Sequence, residues 1–536
     1  MSALLSIENL TVRLPAGADR AYAMRNVSID VHAGEIVCVV GESGSGKSMT
    51  ANALMRLLPP GVAFESGRIL FEGRDLTQIG DAQMRRLRGE DLAMIFQEPM
   101  TALNPLLRIG DQIGEMFRIH TSMGADEIAA RTLDLLGEVH IPDPERAAKA
   151  YPHELSGGQR QRAMIAMALA LDPKVLIADE PTTALDVTTQ AQILRLIREM
   201  QARKGTAVLF ITHDFGVVAE IADRVVVQQL GEVVAQGPPG RVLRAPRHPY
   251  PRHPIDAVPA LTPPPPRPLA QETILDLQDV SKTYRGRGLF GRGRVVHAVK
   301  DVTLRLPKGA TLGVVGESGS GKSTLARCIV RLIEPDSGVV RVHGEDMAHL
   351  SARQLRARAD RVQMVFQDPF ASLNPRRTAG EAVAMGLLAR GTPRGQALAR
   401  ARELFGLVGL DPAAIDRHPH EFSGGQRQRI GLARALAMEP DVLIADEPVS
   451  ALDVSVQAQV LRLLDDLRAR LGLSIVFITH DLRVAAQVCD LVAVMKDGEV
   501  VESGTVAQVF GERRHPYTRD LLAAIPGQDF DRAAKG

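Results

Sequence analysis

The sequence predicts an α/β protein made of one unit used twice, each unit a parallel-sheet core that opens on a glycine-rich loop and carries an inserted helical subdomain. Three observations predict it. The octapeptide GESGSGKS occupies Gly41, Glu42, Ser43, Gly44, Ser45, Gly46, Lys47 and Ser48, and it recurs at Gly316, Glu317, Ser318, Gly319, Ser320, Gly321, Lys322 and Ser323. Short apolar runs alternate with helical patterns, the arrangement that builds parallel sheets. Later motifs keep their order in both copies, with an offset of 275 at the octapeptide, 270 at Gln97/Gln367 and 267 at Ser156/Ser423, Asp179/Asp446 and His213/His480, so insertions fall in loops.

Taken in order, Ile36 to Val40 and Leu312 to Val315 read as buried strands that lead into the glycine-rich loop and then a helix, the setting such a loop requires. Between Gln97 and Ser156 the period changes to that of a helix, with Ala129, Leu133 and Leu136 predicted on one face; Ala397, Ala401 and Leu404 match them in the second copy. This stretch is the inserted helical subdomain. Further buried strands are expected at Val175 to Ala178, Val208 to Ile211, Val442 to Ala445 and Ile475 to Ile478. A proline run, Pro263 to Pro266 with Pro268, favours extended backbone and a semi-rigid spacer. The expected domains are 1–260, a linker at 261–272, and 273–536.

Composition narrows the function classes. Lys plus Arg number 64 against 63 Asp plus Glu, so no global field exists to hold a polyanion, and nucleic acid is not an expected partner. Cys38, Cys328 and Cys489 lie far apart without metal-ligand spacing, which argues against zinc sites and disulfide frameworks. No apolar run reaches the roughly 18 residues of a membrane helix, so the chain is expected to be soluble or to dock on a membrane partner.

The motifs carry a specific chemistry. In the octapeptide, successive backbone N–H groups can face phosphates, Lys47 or Lys322 reaches the terminal phosphate oxygens, and Ser48 or Ser323 offers a hydroxyl to Mg²⁺. VLIADEP, at Val175 to Pro181 and Val442 to Pro448, ends a strand in two carboxylates. Strand alternation turns these in different directions, suiting Asp179 and Asp446 to the hydrated metal and Glu180 and Glu447 to the attacking water. A solvated Asp-Glu pair before a proline turn is the plain reading of one such segment, and its pairing with the phosphate loop, twice, disfavours that reading.

LSGGQRQR at Leu155 to Arg162 and FSGGQRQR at Phe422 to Arg429 resemble the signature motif of ATP-binding cassette (ABC) proteins, and the resemblance covers nearly the whole chain. The expected fold is thus two tandem ABC ATPase cassettes, and the expected cofactors are ATP and Mg²⁺. Ser156, Gly157, Gly158 and Gln159, with Ser423, Gly424, Gly425 and Gln426, begin helical runs and offer N–H groups to an anion, although one isolated Ser-Gly-Gly is more simply a helix cap. The resemblance implies that each signature caps ATP held by the opposite cassette, an intramolecular cassette dimer. Gln97 and Gln367, in MIFQEP and MVFQDP, resemble the metal-sensing Q-loop; His213 and His480, in FITHD, resemble the switch histidine. Ala184 to Asp186 and Ala451 to Asp453 resemble the D-loop. Tyr284 takes the position of the adenine-stacking aromatic, where the first copy has Leu14; Tyr22 is the nearby substitute.

FQEPMTALNP (Phe96 to Pro105) and FQDPFASLNP (Phe366 to Pro375) resemble the dipeptide, oligopeptide and nickel importer subfamily. So do RHPY at Arg247 to Tyr250, RHPYTRDLLAAIP at Arg514 to Pro526, and the loop Arg287 to Arg294. Pro251 and Pro254 oppose a helix after the first RHPY, so the second end is the closer match. No cysteines follow it, and no iron–sulfur site is expected. The resemblance implies an ATPase on the cytoplasmic face of a bacterial inner membrane, serving two integral membrane permease subunits and a periplasmic solute-binding protein. Peptide is the expected solute, with nickel, glutathione or an opine as alternatives. Tandem cassettes that act on ribosomes typically carry a long charged helical linker, and DNA-repair relatives carry zinc-spaced cysteines; neither feature is present.

Overall fold

The protein is described here from a computed structural model covering residues 2–527 except 184, 245–247, 249, 251–254, 256, 286–294, 369–371 and 451. Ala184, Ala451, Arg247, Pro249, Pro251, Pro254, the loop from Arg287 to Arg294, and Pro369, Phe370 and Ala371 therefore lie outside the described residues. The chain forms two compact units, Met1–Val258 with Ile525–Gly536, and Pro259–Ala524.

In the first unit the strands are β1 (Leu5–Arg13), β2 (Tyr22–Val31), β3 (Ile36–Val40), β4 (Ala63–Phe71), β5 (Arg74–Asp75), β6 (Leu92–Ile95), β7 (Val175–Asp179), β8 (Ala207–Thr212), β9 (Arg224–Gln229) and β10 (Glu232–Gly237). A six-stranded sheet runs β10-β9-β3-β8-β7-β6. It is parallel apart from β10, which returns antiparallel along β9. β3, β7 and β8 are buried along their whole length, as a continuous Val/Ile/Leu run requires when both faces of a sheet are covered.

A four-stranded antiparallel sheet, β2-β1-β4-β5, accompanies this core. The sequence reading anticipated only the parallel sheet. Strands β1 and β2 alternate buried and exposed residues irregularly and contain register shifts, with Asn9 and Asn26 in left-handed conformation, so their period of two is broken. Leu10, Val12, Met24 and Val27 from this sheet join Val37, Val39, Ile177, Leu209 and Ile211 in one apolar cluster.

The helical subdomain lies between β6 and the helix Gly157–Leu169, with its main helices at Ile109–His120 and Ala125–Glu138. The expected face of the latter is one residue out of phase. Ile128, Thr132, Leu135 and Leu136 are buried, whereas Ala129 is exposed and Leu133 only half-buried. The larger Ile128 and Leu135 win the interior over Ala129 because each buries more apolar area. In the second copy Ala397, Ala401 and Leu404 are buried as expected, on the helix Arg394–Leu407.

The second unit repeats the plan with β11 (Thr273–Arg285), β12 (Val295–Pro307), β13 (Thr311–Val315), β14 (Ser337–Val342), β15 (Glu345–Asp346), β16 (Val362–Val365), β17 (Val442–Asp446), β18 (Ser474–Thr479), β19 (Leu491–Lys496) and β20 (Glu499–Thr505). Its sheets run β12-β11-β14-β15 and β16-β17-β18-β13-β19-β20. The proline-rich segment is fastened within this unit. Gln487 Nε2 donates to the carbonyls of Ala260 (2.6 Å) and Thr262 (2.8 Å), and Arg267 Nη1 lies 2.8 Å from Asp465 Oδ1.

Candidate functional site

β3 and β13 deliver the chain into the glycine-rich loop, and the helices Lys47–Leu54 and Lys322–Ile329 begin where it ends. Two glycines explain the loop's composition. A Cβ on Gly41 would stand 2.2 Å from the Gln228 carbonyl oxygen, and one on Gly46, at φ +105°, 2.7 Å from that of Ala23. Gly316 and Gly321 face Met495 and Ala298 in the same way, at 2.2 and 2.1 Å. Only glycine lets the loop curl this tightly against neighbouring backbone.

The lysines close the loop on themselves. Lys47 Nζ donates to the carbonyls of Gly41 (2.7 Å) and Glu42 (2.9 Å), and Lys322 Nζ to those of Gly316 (2.9 Å) and Glu317 (2.7 Å). A buried ammonium needs such acceptors, and a phosphate entering the loop would offer better ones.

Ser48 Oγ donates to Asp179 Oδ1 over 3.1 Å, and Ser323 Oγ to Asp446 Oδ1 over 3.0 Å. Burial pushes the Asp179 carboxyl up to about 6; the Ser48 hydrogen bond opposes this and the charge of Glu180 adds to it. Asp446 is raised for the same reasons, burial first. A hydroxyl and a poorly neutralised carboxylate side by side are a hard-oxygen pair suited to Mg²⁺, which keeps most of its shell for water and phosphate.

Glu180 follows Asp179 with quite different partners. It sits just past the end of β7 at φ +48°, a left-handed conformation costing a non-glycine residue about 1–3 kcal/mol, and Glu447 repeats it at +45°. Its Oε1 lies 3.2 Å from His213 Nδ1, while its Oε2 accepts from Gln97 Nε2 (3.0 Å) and Thr183 Oγ1 (2.9 Å). Burial alone would raise this carboxyl, yet the hydrogen bond and charge of His213, with Thr183 and Lys47, hold it down at about 2. Glu447 accepts from Gln367 Nε2 (2.9 Å) and lies 3.3 Å from His480 Nδ1. Burial notwithstanding, Glu447 is lowered by His480, and His480 is raised by Glu447. The sequence reading put Gln97 and Gln367 with the metal; here the amide N–H of each turns to the glutamate.

Thr183 was not anticipated. The corresponding Ser450 donates to the Glu447 carbonyl oxygen (3.2 Å), so the third position after the glutamate differs in partner between copies. In the second unit an open cleft of about 520 Å³ brings Ser318, Gly319, Lys322 and Ser323 together with Gln367 and Glu447.

Ser156 and Ser423 cap the helices Gly157–Leu169 and Gly424–Leu436. Each hydroxyl accepts from the N–H of Gln159 or Gln426 at 3.3 Å, and each glutamine oxygen accepts the serine N–H in return, at 3.1 and 2.9 Å. Cβ atoms on Gly158 and Gly425 would press on Thr189 (3.2 Å) and Val456 (2.4 Å). Tyr284, 39% exposed, lies near the end of β11, whereas Leu14 packs against the first unit's core and the Tyr22 hydroxyl donates to Glu65 (3.2 Å).

Comparison with known proteins bears on the whole chain. The ABC transporter family matches residues 24–183 and 299–450, and the oligopeptide/dipeptide transporter C-terminal region matches 501–535. The chain is 47% identical over 526 residues to the peptidoglycan transport ATP-binding protein YejF of Agrobacterium fabrum, covering 97% of this chain and 96% of the relative. It is 46% identical over 557 residues to the glutathione import ATP-binding protein GsiA of Escherichia coli K12, covering 98% and 89%. Among the described residues no helix is long and apolar enough to cross a membrane. Two matched cassettes and relatives aligned nearly end to end show that this chain belongs to the ABC transporter family, as an ATP-binding and ATP-hydrolysing importer subunit that works with membrane permease partners.

Proposed function

We propose that the chain drives uptake of a peptide-class solute through two separate permease subunits, using two ATP sites of equivalent chemistry. The observation that carries this reading is the duplicated constellation in which Ser48–Asp179 and Ser323–Asp446 stand beside the glutamates held by Gln97 with His213, and by Gln367 with His480. Lys47 and Lys322 bind the ATP phosphates together with the loop N–H groups of Gly41 to Ser48 and Gly316 to Ser323. Ser48 with Asp179, and Ser323 with Asp446, hold Mg²⁺, which when bound neutralises charge on the phosphates. Glu180 and Glu447 orient the attacking water.

In the structure each glutamate is engaged by the histidine and glutamine beside it. A γ-phosphate competes for the histidine and for the lysine, and so frees the carboxylate for water only when ATP is in place. Ser156 to Gln159 and Ser423 to Gln426 contribute their helix N-termini to ATP on the opposite cassette. Tyr284 stacks on adenine in the second site; Leu14 offers no ring in the first. The permeases receive solute from a periplasmic binding protein, and the chain works at the cytoplasmic face of a bacterial inner membrane. Relatives named for glutathione import and for peptidoglycan transport support a solute that contains peptide bonds.

The test is uptake of labelled di- and oligopeptides, glutathione and nickel in a deletion strain complemented with wild type or with the Lys47→Ala/Lys322→Ala variant. Uptake of a peptide by wild type alone supports the reading. Uptake of nickel without any peptide, or uptake restored by the variant, would overturn it.

A further inference from the structure

Resting on the ATP-site reading above, we propose that Tyr250 and Tyr517, the tyrosines of the two RHPY segments, are positioning residues that hold the glycine-rich loop from behind and set its affinity for ATP. The Glu42 N–H donates to Tyr250 Oη over 3.1 Å, from 208 residues away in the chain. The Glu317 N–H donates to Tyr517 Oη over 3.2 Å, from 200 residues away. Both rings are buried, at 8% and 6% exposure.

The peptide group held in this way is the one the lysine uses. Its N–H belongs to Glu42 and its carbonyl to Gly41, and that carbonyl accepts Lys47 Nζ at 2.7 Å; in the second unit the Gly316 carbonyl accepts Lys322 Nζ at 2.9 Å. Tyrosine and lysine thus grip the same peptide plane from its two ends. Because Gly41 and Gly316 already abut backbone with no room for a side chain, this peptide is the hinge on which the rest of the loop hangs. A phosphate draws the lysine away, and the tyrosine then remains to keep the plane oriented.

The tyrosines are aimed by the motif itself. The N–H of each donates to the Nδ1 of the histidine two residues earlier, His248 or His515, at 3.2 Å in both copies. In the second unit the motif's proline opens the helix Pro516–Ala523, and the Lys496 ammonium lies 4.7 Å over the Tyr517 ring. The same contact occurs in two copies that differ immediately after the tyrosine, Pro251 in one and Thr518 in the other. Its preservation across that difference assigns the tyrosine to the loop and not to the helix that follows.

The experiment uses the full chain with Tyr250→Phe, Tyr517→Phe and the double variant, which keep the ring and remove only Oη. Binding of a fluorescent ATP analogue and ATPase kinetics are measured beside the unfolding midpoint without nucleotide. Losing the Oη contact with the loop should weaken analogue binding and raise KM for ATP about three- to tenfold, with kcat within about twofold and the midpoint nearly unchanged. Tyr517→Leu, which also removes the ring, sets the scale of a purely structural loss. If the Phe variants lower the midpoint as Tyr517→Leu does while KM stays at the wild-type value, the tyrosines are structural and the inference is overturned. Unchanged affinity and KM overturn it equally. Lys47→Ala/Lys322→Ala, run in parallel, separates the two readings: retained analogue binding there refutes the ATP site itself, while lost binding beside wild-type Tyr→Phe behaviour refutes only the tyrosine's role.

Discussion

Glu180 is held in a strained left-handed backbone and by three side chains, which together set the direction of its carboxylate. Thr183 is the partner that distinguishes the copies. We predict that Thr183→Val, which keeps the shape and loses the hydroxyl, lowers ATPase turnover about tenfold or more, because a hydrogen bond to a charged group is worth about 1.5–3 kcal/mol. Ser450→Ala should cost less, since Ser450 serves a backbone carbonyl instead of the Glu447 carboxylate. Steady-state kinetics of the two variants decide it, and equal losses would contradict the asymmetry. The glutamates, lysines and histidines were legible in the sequence because their chemistry depends on strand ends and loops encoded in a few adjacent residues. Thr183 and the two tyrosine contacts were not, since hydroxyl direction and a contact spanning some 200 residues have no local signature.

At the scale of elements, the loop depends on backbone proximity. Gly46→Ala and Gly321→Ala each add a methyl group where φ is +105° and a carbonyl oxygen lies within 2.7 Å, so the loop must open. At least a tenfold loss of ATP-analogue binding is expected from strain of about 1–3 kcal/mol plus the clash, measured by fluorescence titration. Glu35, immediately before β3, accepts Arg224 of β9 bidentately at 2.8 and 3.0 Å and ties the start of β3 to its neighbour. Burial tends to raise the Glu35 carboxyl, but the Arg224 hydrogen bond and the His32 N–H outweigh it and hold it below the ordinary 4.5. The folded state therefore binds this proton less tightly than the unfolded chain does. The pair's stabilisation is complete above pH 4.5 and is lost as pH falls below it through the folded value. Glu35→Gln should destabilise the first unit by about 1 kcal/mol at neutral pH, with the difference from wild type shrinking in acid, read from denaturant unfolding at both pH values. The parallel core strands were legible as unbroken apolar runs. The antiparallel sheet was hidden by its bulges, and the helix Ala125–Glu138 was misphased by one residue because several small and large apolar side chains compete for the same face.

On the scale of the whole molecule, two equivalent constellations raise the question of independence. If the sites turned over separately, Glu180→Gln or Glu447→Gln would each leave about half the ATPase rate. Sites that share the closure of two cassettes predict that either substitution alone lowers turnover at least tenfold while ATP still binds. ATPase assays of both single variants distinguish these outcomes, and loss in only one of them would show the sites to be unequal. Gln487 and Arg267 fasten the stretch around the proline run along the second unit. By itself the sequence determined the duplication, the α/β cores with their inserted helices, and which residues are candidates to handle phosphate, because these rest on composition and spacing over a few turns of chain. Only the tertiary structure decided which hydroxyl meets which carboxylate, that a second sheet flanks each core, and that the RHPY tyrosines reach the glycine-rich loop. Those contacts are made by packing between segments far apart in sequence, where burial and hydrogen-bond geometry, rather than local pattern, select the partner.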